Sequence, residues 1–190
     1  MRSFIALMLG SELAEQLHAG LLPGLRALGA EHPEAVRIHG ASDLHLTLAF
    51  LGEQPPAVCE ALSADLGRTL ADQPAPRLRL APAGAFPDRG RERVVWTGVE
   101  DLDAPRLGEL AAVVAQRCRA HGIQLDPRPF RPHVTLARLR AQARGKLPDS
   151  FFEQDPDLEW QPDRVRWVVS LEAGGPQLFQ PGASFPLASH

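Results

Sequence analysis

Cysteine is scarce in this 190-residue chain: two copies only. Cys59 and Cys118 each stand alone in an apolar helical pattern. They have neither metal-ligand spacing nor the dense, even set that a disulfide-stapled scaffold needs, so both read as core thiols. Long apolar runs are missing as well. No stretch approaches the ~20 apolar residues of a membrane span. The apolar opening "FIALML" leads into acidic residues and not into a small-residue cleavage site. A soluble, cytoplasmic protein is the expectation. Nor is there an excess of positive charge: the net charge of −3 argues against nucleic-acid binding by bulk electrostatics. Of the 20 basic side chains only Lys146 is a lysine. The remainder are Arg, whose planar fork suits phosphate oxygens, although GC-rich coding accounts for much of that bias. Finally, no G-x-S-x-G occurs, so a nucleophile-elbow hydrolase lacks its signal.

With 44% hydrophobic and 23% charged residues the composition is that of a globular protein. Periodicity predicts a strand in "SFIALML", then a helix from Ser11 (the expected N-cap) to Leu28, kinked or broken at Pro23. A loop over 29–43 precedes a strand at 44–51, and a second helix opens at the prolines 55 and 56. Strands follow in "APRLRLAPAGAFP" and "RERVVWTGVE", then a helix over 103–121 with Gly122 as C-cap. A strand at 133–139, a turn-rich stretch and two closing strands, "RVRWVVSLEA" and "QLFQPGASFPL", complete the chain. Strand, helix, strand in the first half recurs about ninety residues later. The expected architecture is therefore α+β, one bilobal domain over 1–190 built by internal duplication. Two pseudo-symmetric lobes, each an antiparallel sheet with helices outside, face across a central cleft.

The repeat carries a motif: "HLTLAF" at 45–50 and "HVTLAR" at 133–138. On a strand, residues i and i+2 share a face, so His45 projects with Thr47, and His133 with Thr135. Two imidazoles and two hydroxyls would then meet in one space. A neutral His can take a proton from a nucleophile while a protonated one gives a proton to a leaving oxygen, both near neutral pH. The hydroxyls can donate to oxygens that gain charge in the transition state. A phosphodiester suits such a site, with no metal and no cofactor required. A single His of this kind would more simply be a hydrogen-bonded structural residue; the repeated Thr argues otherwise. Metal binding would need a third ligand, absent at matching spacing. His18, His32, His39, His121 and His190 read as ordinary surface residues.

With "FRPHVTLARLR" around the second motif and "AGAFP" before the central strand, the chain resembles the 2H phosphoesterase superfamily over nearly its whole length. The nearest match within it is the RNA 2′,3′-cyclic phosphodiesterase (2′-5′ RNA ligase) family. The resemblance implies His45 as proton donor, His133 as proton acceptor, and Thr47 and Thr135 as phosphate-holding residues. It implies an RNA end bearing a 2′,3′-cyclic phosphate as substrate, tRNA halves among the candidates, opened to a 2′-phosphate. Some members also join RNA through a 2′-5′ linkage. Arg138 matches an Arg that commonly follows the second motif; strict strand parity sets it on the face opposite His133, so a twist or bulge would be needed for direct phosphate contact. Arg131 has the right parity but stands beyond Pro132. Phe50, Phe86, Trp96 and Phe130 can stack a base or serve the core. A monomer is expected. Other readings are a phosphodiesterase for 2′-5′-linked oligonucleotides or small cyclic nucleotides, and a non-catalytic RNA- or nucleotide-binding module.

Overall fold

The computed structural model describes residues 2–171 and 179–188; Gln177 and Leu178 of the expected last strand, and His190, lie outside them. The elements in chain order are β1 (Ser3–Met8), α1 (Ser11–Glu31), β2 (Val36–Ile38), β3 (His45–Gly52), α2 (Pro56–Leu70), β4 (Leu78–Phe86), β5 (Val94–Asp101), α3 (Arg106–Ala120), β6 (His133–Leu139), α4 (Asp149–Phe152), β7 (Leu158–Trp160), β8 (Arg164–Ser170) and β9 (Phe179–Pro186). The strands join in a single sheet of order β7-β4-β5-β6-β3-β1-β8-β9, with β2 added to β6. Every pairing between these strands is antiparallel. The sheet order is palindromic in kind: β6, β5 and β4 on one side of the seam answer β3, β1 and β8 on the other. The two motif strands are neighbours at that seam.

Helices form where the apolar spacing dictates. On α1, Leu17, Leu21, Leu25 and Leu28 are all buried, a stripe at 3.6-residue periodicity. That stripe carries the helix through Pro23 without a break. Pro23 is exposed, as is Ala19 one turn before it. The carbonyl that loses its amide partner therefore has water within reach, the circumstance in which a helical proline costs least. Gly10 and not Ser11 occupies the N-cap position, with no side-chain cap. On α3, Leu107, Leu110, Ala111, Val114 and Cys118 are buried together. Gly122, with φ +78°, follows its end in the left-handed conformation that glycine adopts freely.

Within 29–43 the chain is not simply loop. α1 runs on to Glu31, and β2 pairs Val36 with Leu139, Arg37 with Arg138 and Ile38 with Ala137. β7 pairs three residues with β4. Strands of three residues carry too little alternation to be seen in sequence. At the seam Leu46 partners Val134, and both are fully buried. Emptying either position would cost about 2–5 kcal/mol by the usual measure of a core truncation. This pair fixes how the two motifs meet.

Candidate active site

Both motif strands contain the same irregularity. Along β3, Thr47 pairs with Ala6 and Ala49 with Ile5, so Leu48 is an extra residue. Along β6, Thr135 pairs with Trp96 and Ala137 with Val95, so Leu136 is extra. A bulge shifts face parity by one residue. After it, Phe50 pairs with Phe4 and Arg138 with Val94. Both side chains thereby return to the face of their His and Thr. For Arg138 this is the bulge that strict strand parity requires if it is to share the face of His133. The carbonyl of Leu136 accepts the backbone N–H of His39 at 2.8 Å, one rung beyond the β2–β6 pairs.

Leu46 and Val134 are direct partners in an antiparallel pair. One step out on either side sets His45 abreast of Thr135 and Thr47 abreast of His133. The four lie on the face opposite the buried Leu46 and Val134. The two histidines are diagonal neighbours, which for this geometry means Cα atoms roughly 7–8 Å apart. That leaves room for one phosphoryl group between the rings. Each ring is anchored alike: Nδ1 of His45 donates to the Asp43 carbonyl at 2.6 Å, and Nδ1 of His133 to the Arg131 carbonyl at 2.7 Å. A carbonyl only accepts, so Nδ1 carries the proton in both rings. Nε2 is left as the nitrogen that can receive or deliver one.

The rings differ in surroundings. His45 is buried; Phe4 stacks on it at 4.6 Å and Phe179 meets it edge-on at 4.9 Å. Burial pushes its pKa down to about 4, and the charges of His133 and Arg138 act in the same direction against the Asp43 hydrogen bond. His133 is half-buried between Phe86 (5.0 Å) and Trp96 (6.0 Å). Burial lowers its pKa too, against the hydrogen bond to Arg131 and with the charges of Arg131 and Arg138. Both imidazoles are thus neutral in the empty site at pH 7, His45 the more so. An anion brought between them would favour the imidazolium.

All six residues singled out in the sequence come to this seam. Thr47 and Thr135 are half-buried, Arg138 and Arg131 exposed. Arg131 lays its guanidinium over Phe86, 5.2 Å from the ring centroid. Three residues escaped the sequence reading. Asp43 is fully buried and accepts the backbone N–H of Phe179 at 3.2 Å through its carboxylate, while its carbonyl holds His45. Its place two before the motif His was the available signal. Phe179 arrives from β9 and carries none. His39, read as a surface residue, is 1% exposed with neither ring nitrogen bonded, because it lies under Phe179 beside the Leu136 bulge. Among the described residues, no group of three or more His, Cys, Asp or Glu is gathered for a metal ion, and no helix is long and apolar enough to cross a membrane.

The model of the 2′-5′ RNA ligase superfamily matches residues 11–174. A protein of Escherichia coli (strain K12) named RNA 2′,3′-cyclic phosphodiesterase is 38% identical over 154 residues, 79% of this chain and 78% of that one. One of the same name from Geobacillus stearothermophilus is 44% identical over 101 residues. That match covers 50% of this chain but only 30% of the relative's length. In three dimensions the crystal structure of E. coli LigT complexed with 3′-AMP superposes with a TM-score of 0.72 at 31% identity, covering 98% of this chain and 97% of that one.

Proposed function

Since the chain belongs to the 2′-5′ RNA ligase superfamily, we propose that it is an RNA 2′,3′-cyclic phosphodiesterase. It opens 2′,3′-cyclic phosphate ends to 2′-phosphates by paired histidine acid–base catalysis, with 2′-5′ ligation as a side activity. The observation that carries this reading is the matched anchoring of His45 and His133 through Nδ1. It dedicates both Nε2 atoms to proton transfer on either side of one space.

In this mechanism Nε2 of His133 takes a proton from water as its oxygen attacks phosphorus in line with the 3′-oxygen. The P–O3′ bond breaks, and the 3′-oxygen takes the proton held on Nε2 of His45. The phosphate remains on O2′. Thr47, Thr135 and Arg138 donate to the non-bridging oxygens, whose charge grows in the transition state. His45 acquires its proton with the substrate, because the diester anion offsets the burial that keeps the ring neutral when the site is empty. Phe50, 62% exposed on the same face, offers its ring to the base of the terminal nucleotide. The LigT relative's complex with 3′-AMP supports a nucleoside phosphate as the recognised unit. Chain 1–190 acts as one bilobal domain, a cytoplasmic monomer on RNA ends such as those of tRNA halves.

The test is an oligoribonucleotide ending in a 2′,3′-cyclic phosphate, incubated with the protein in EDTA. A single product isomer, the 2′-phosphate, is expected. An equal mixture of 2′- and 3′-phosphates would overturn the in-line geometry, and restoration of activity only by added divalent metal would overturn the metal-free reading.

A further inference from the structure

Arg138 has a second cation directly across the ladder. β2 takes over from β3 along the same edge of β6, and its Arg37 is the register partner of Arg138. Residues directly opposed in an antiparallel pair project to the same face. Val36 and Ile38, on either side of Arg37, pack on the core, and their partners Leu139 and Ala137 are buried. Arg37 therefore stands on the cleft face with Arg138 and the motif side chains, and it is exposed.

Like charges set directly opposite destabilise a ladder, and here no acid offsets them. Among the described residues neither Arg37 nor Arg138 has a carboxylate within ion-pair reach. Elsewhere arginines are matched with acids. Arg79 meets Glu100, Asp155 and Asp157, and Arg68, Arg128 and Arg164 each sit on an aspartate. In a chain of net charge −3, two arginines left face to face without an acid suit an anion from outside.

The direction of the strands identifies that anion. β3 and β6 are antiparallel, so Phe50, past the bulge of β3, and Arg138, past the bulge of β6, lie at opposite ends of the cleft with the histidines between them. A ribose 2′,3′-cyclic phosphate has the same order. Its phosphorus bridges the oxygens on C2′ and C3′, the base leaves from C1′ on one side, and C4′ carries the 5′-carbon and its oxygen on the other. With phosphorus between His45 and His133 and the base on Phe50, the 5′-oxygen is directed to the arginine pair. In RNA that oxygen bears the next phosphodiester.

We infer that Arg37, beside Arg138, binds the phosphodiester on the 5′ side of the terminal nucleotide, so that the site selects RNA chain ends over free nucleoside cyclic phosphates. This rests on the proposed cyclic phosphodiesterase reading and adds the second phosphate that the site recognises. Arg138 serves the reacting phosphate and Arg37 the one behind it.

Two dinucleotides ending in a 2′,3′-cyclic phosphate are compared, one with an ordinary internal phosphodiester and one with an uncharged internal methylphosphonate. The upstream sugar is 2′-deoxy in both, so only the terminal ring opens. For the wild-type protein kcat/KM at low salt should favour the charged substrate at least about tenfold, the lower end for a hydrogen bond to a charged group. Arg37→Ala should bring that ratio close to one, and Arg37→Lys should retain part of it. For the charged dinucleotide, the slope of log kcat/KM against log salt should become shallower by about 0.7 in Arg37→Ala, the value of one single-strand phosphate contact. A wild-type ratio near one, or a ratio unchanged in Arg37→Ala, overturns the inference while hydrolysis persists. Failure of the wild-type protein to open either dinucleotide would instead remove the cyclic phosphodiesterase reading, and the second phosphate site with it.

Discussion

Arg138 stands on the same face of β6 as His133 although it lies an odd number of positions, five, further along the chain. The Leu136 bulge supplies the extra step. The counterpart of Arg138 in the other repeat is Phe50, delivered by the Leu48 bulge to the face of His45. One device repeated twice thus sets a cation on one motif and an aromatic ring on the other. That division of labour suits a substrate with a phosphate and a base.

His45→Ala and His133→Ala should each reduce kcat/KM by about 10²–10⁴-fold, the ordinary contribution of a positioned proton transfer. Thermal unfolding midpoints measured beside the rates separate chemistry from folding. Near wild-type turnover in either folded variant would sink the paired mechanism.

In the proposed mechanism, Arg138→Ala removes a charged hydrogen bond to the phosphate, worth about 1.5–3 kcal/mol. Steady-state kinetics should show kcat/KM down by roughly 10–150-fold, with Arg138→Lys intermediate. If Ala were neutral, Arg138 would be a solvent-facing residue merely sharing the face.

Phe50→Ala should raise KM for a nucleoside 2′,3′-cyclic phosphate by about 5–150-fold, the range of one lost base–aromatic stack of ~1–3 kcal/mol. Phe50→Trp should preserve binding. An abasic ribose 2′,3′-cyclic phosphate serves as control: its KM should not respond to Phe50→Ala, and an equal response would place Phe50 in a purely structural role.

Both imidazoles of the empty site titrate below the ordinary 6.5. The bell of kcat/KM, which reports the free enzyme, should therefore centre on the acid side of 6.5. The bound diester anion favours each imidazolium and raises both values, so the bell of kcat should lie at higher pH than that of kcat/KM. The limbs belong to the pair and not to either residue. Coincident profiles, or kcat displaced to lower pH, would contradict the electrostatic account.

His39 is held neutral by burial, its pKa lowered to about 3. The unfolded chain binds a proton there below about 6.5 and the folded one does not. Its contribution to stability is full above 6.5 and is lost as pH falls towards 3. In chemical denaturation, the stability of wild type relative to His39→Leu should fall with acidification by up to about 1.4 kcal/mol per pH unit between pH 6 and 4. A difference independent of pH would show the ring to be solvated.

Much of the site was legible because strand parity is local. His-x-Thr puts both side chains on one face whatever the neighbours do, and two copies at matching offset announce two halves of one site. The helices were legible for the same reason: the leucine stripe of α1 and the α3 face from Leu107 to Cys118 follow their own periodicity into the core. What only the tertiary structure decided depends on partner strands. A bulge is defined against the strand across the ladder, so neither Leu48 nor Leu136 reveals itself in sequence, which shows only that Arg138 would need such an irregularity to reach the face of His133. Burial of His39 depends on Phe179, 140 residues later in the chain, and the anchoring of Phe179 by Asp43 likewise spans the fold. The seam itself rests on one pair, Leu46 with Val134, whose register sets the histidines on a diagonal. Sequence determined which groups share a face of each motif strand; long-range register determined how far apart they stand and what surrounds each ring.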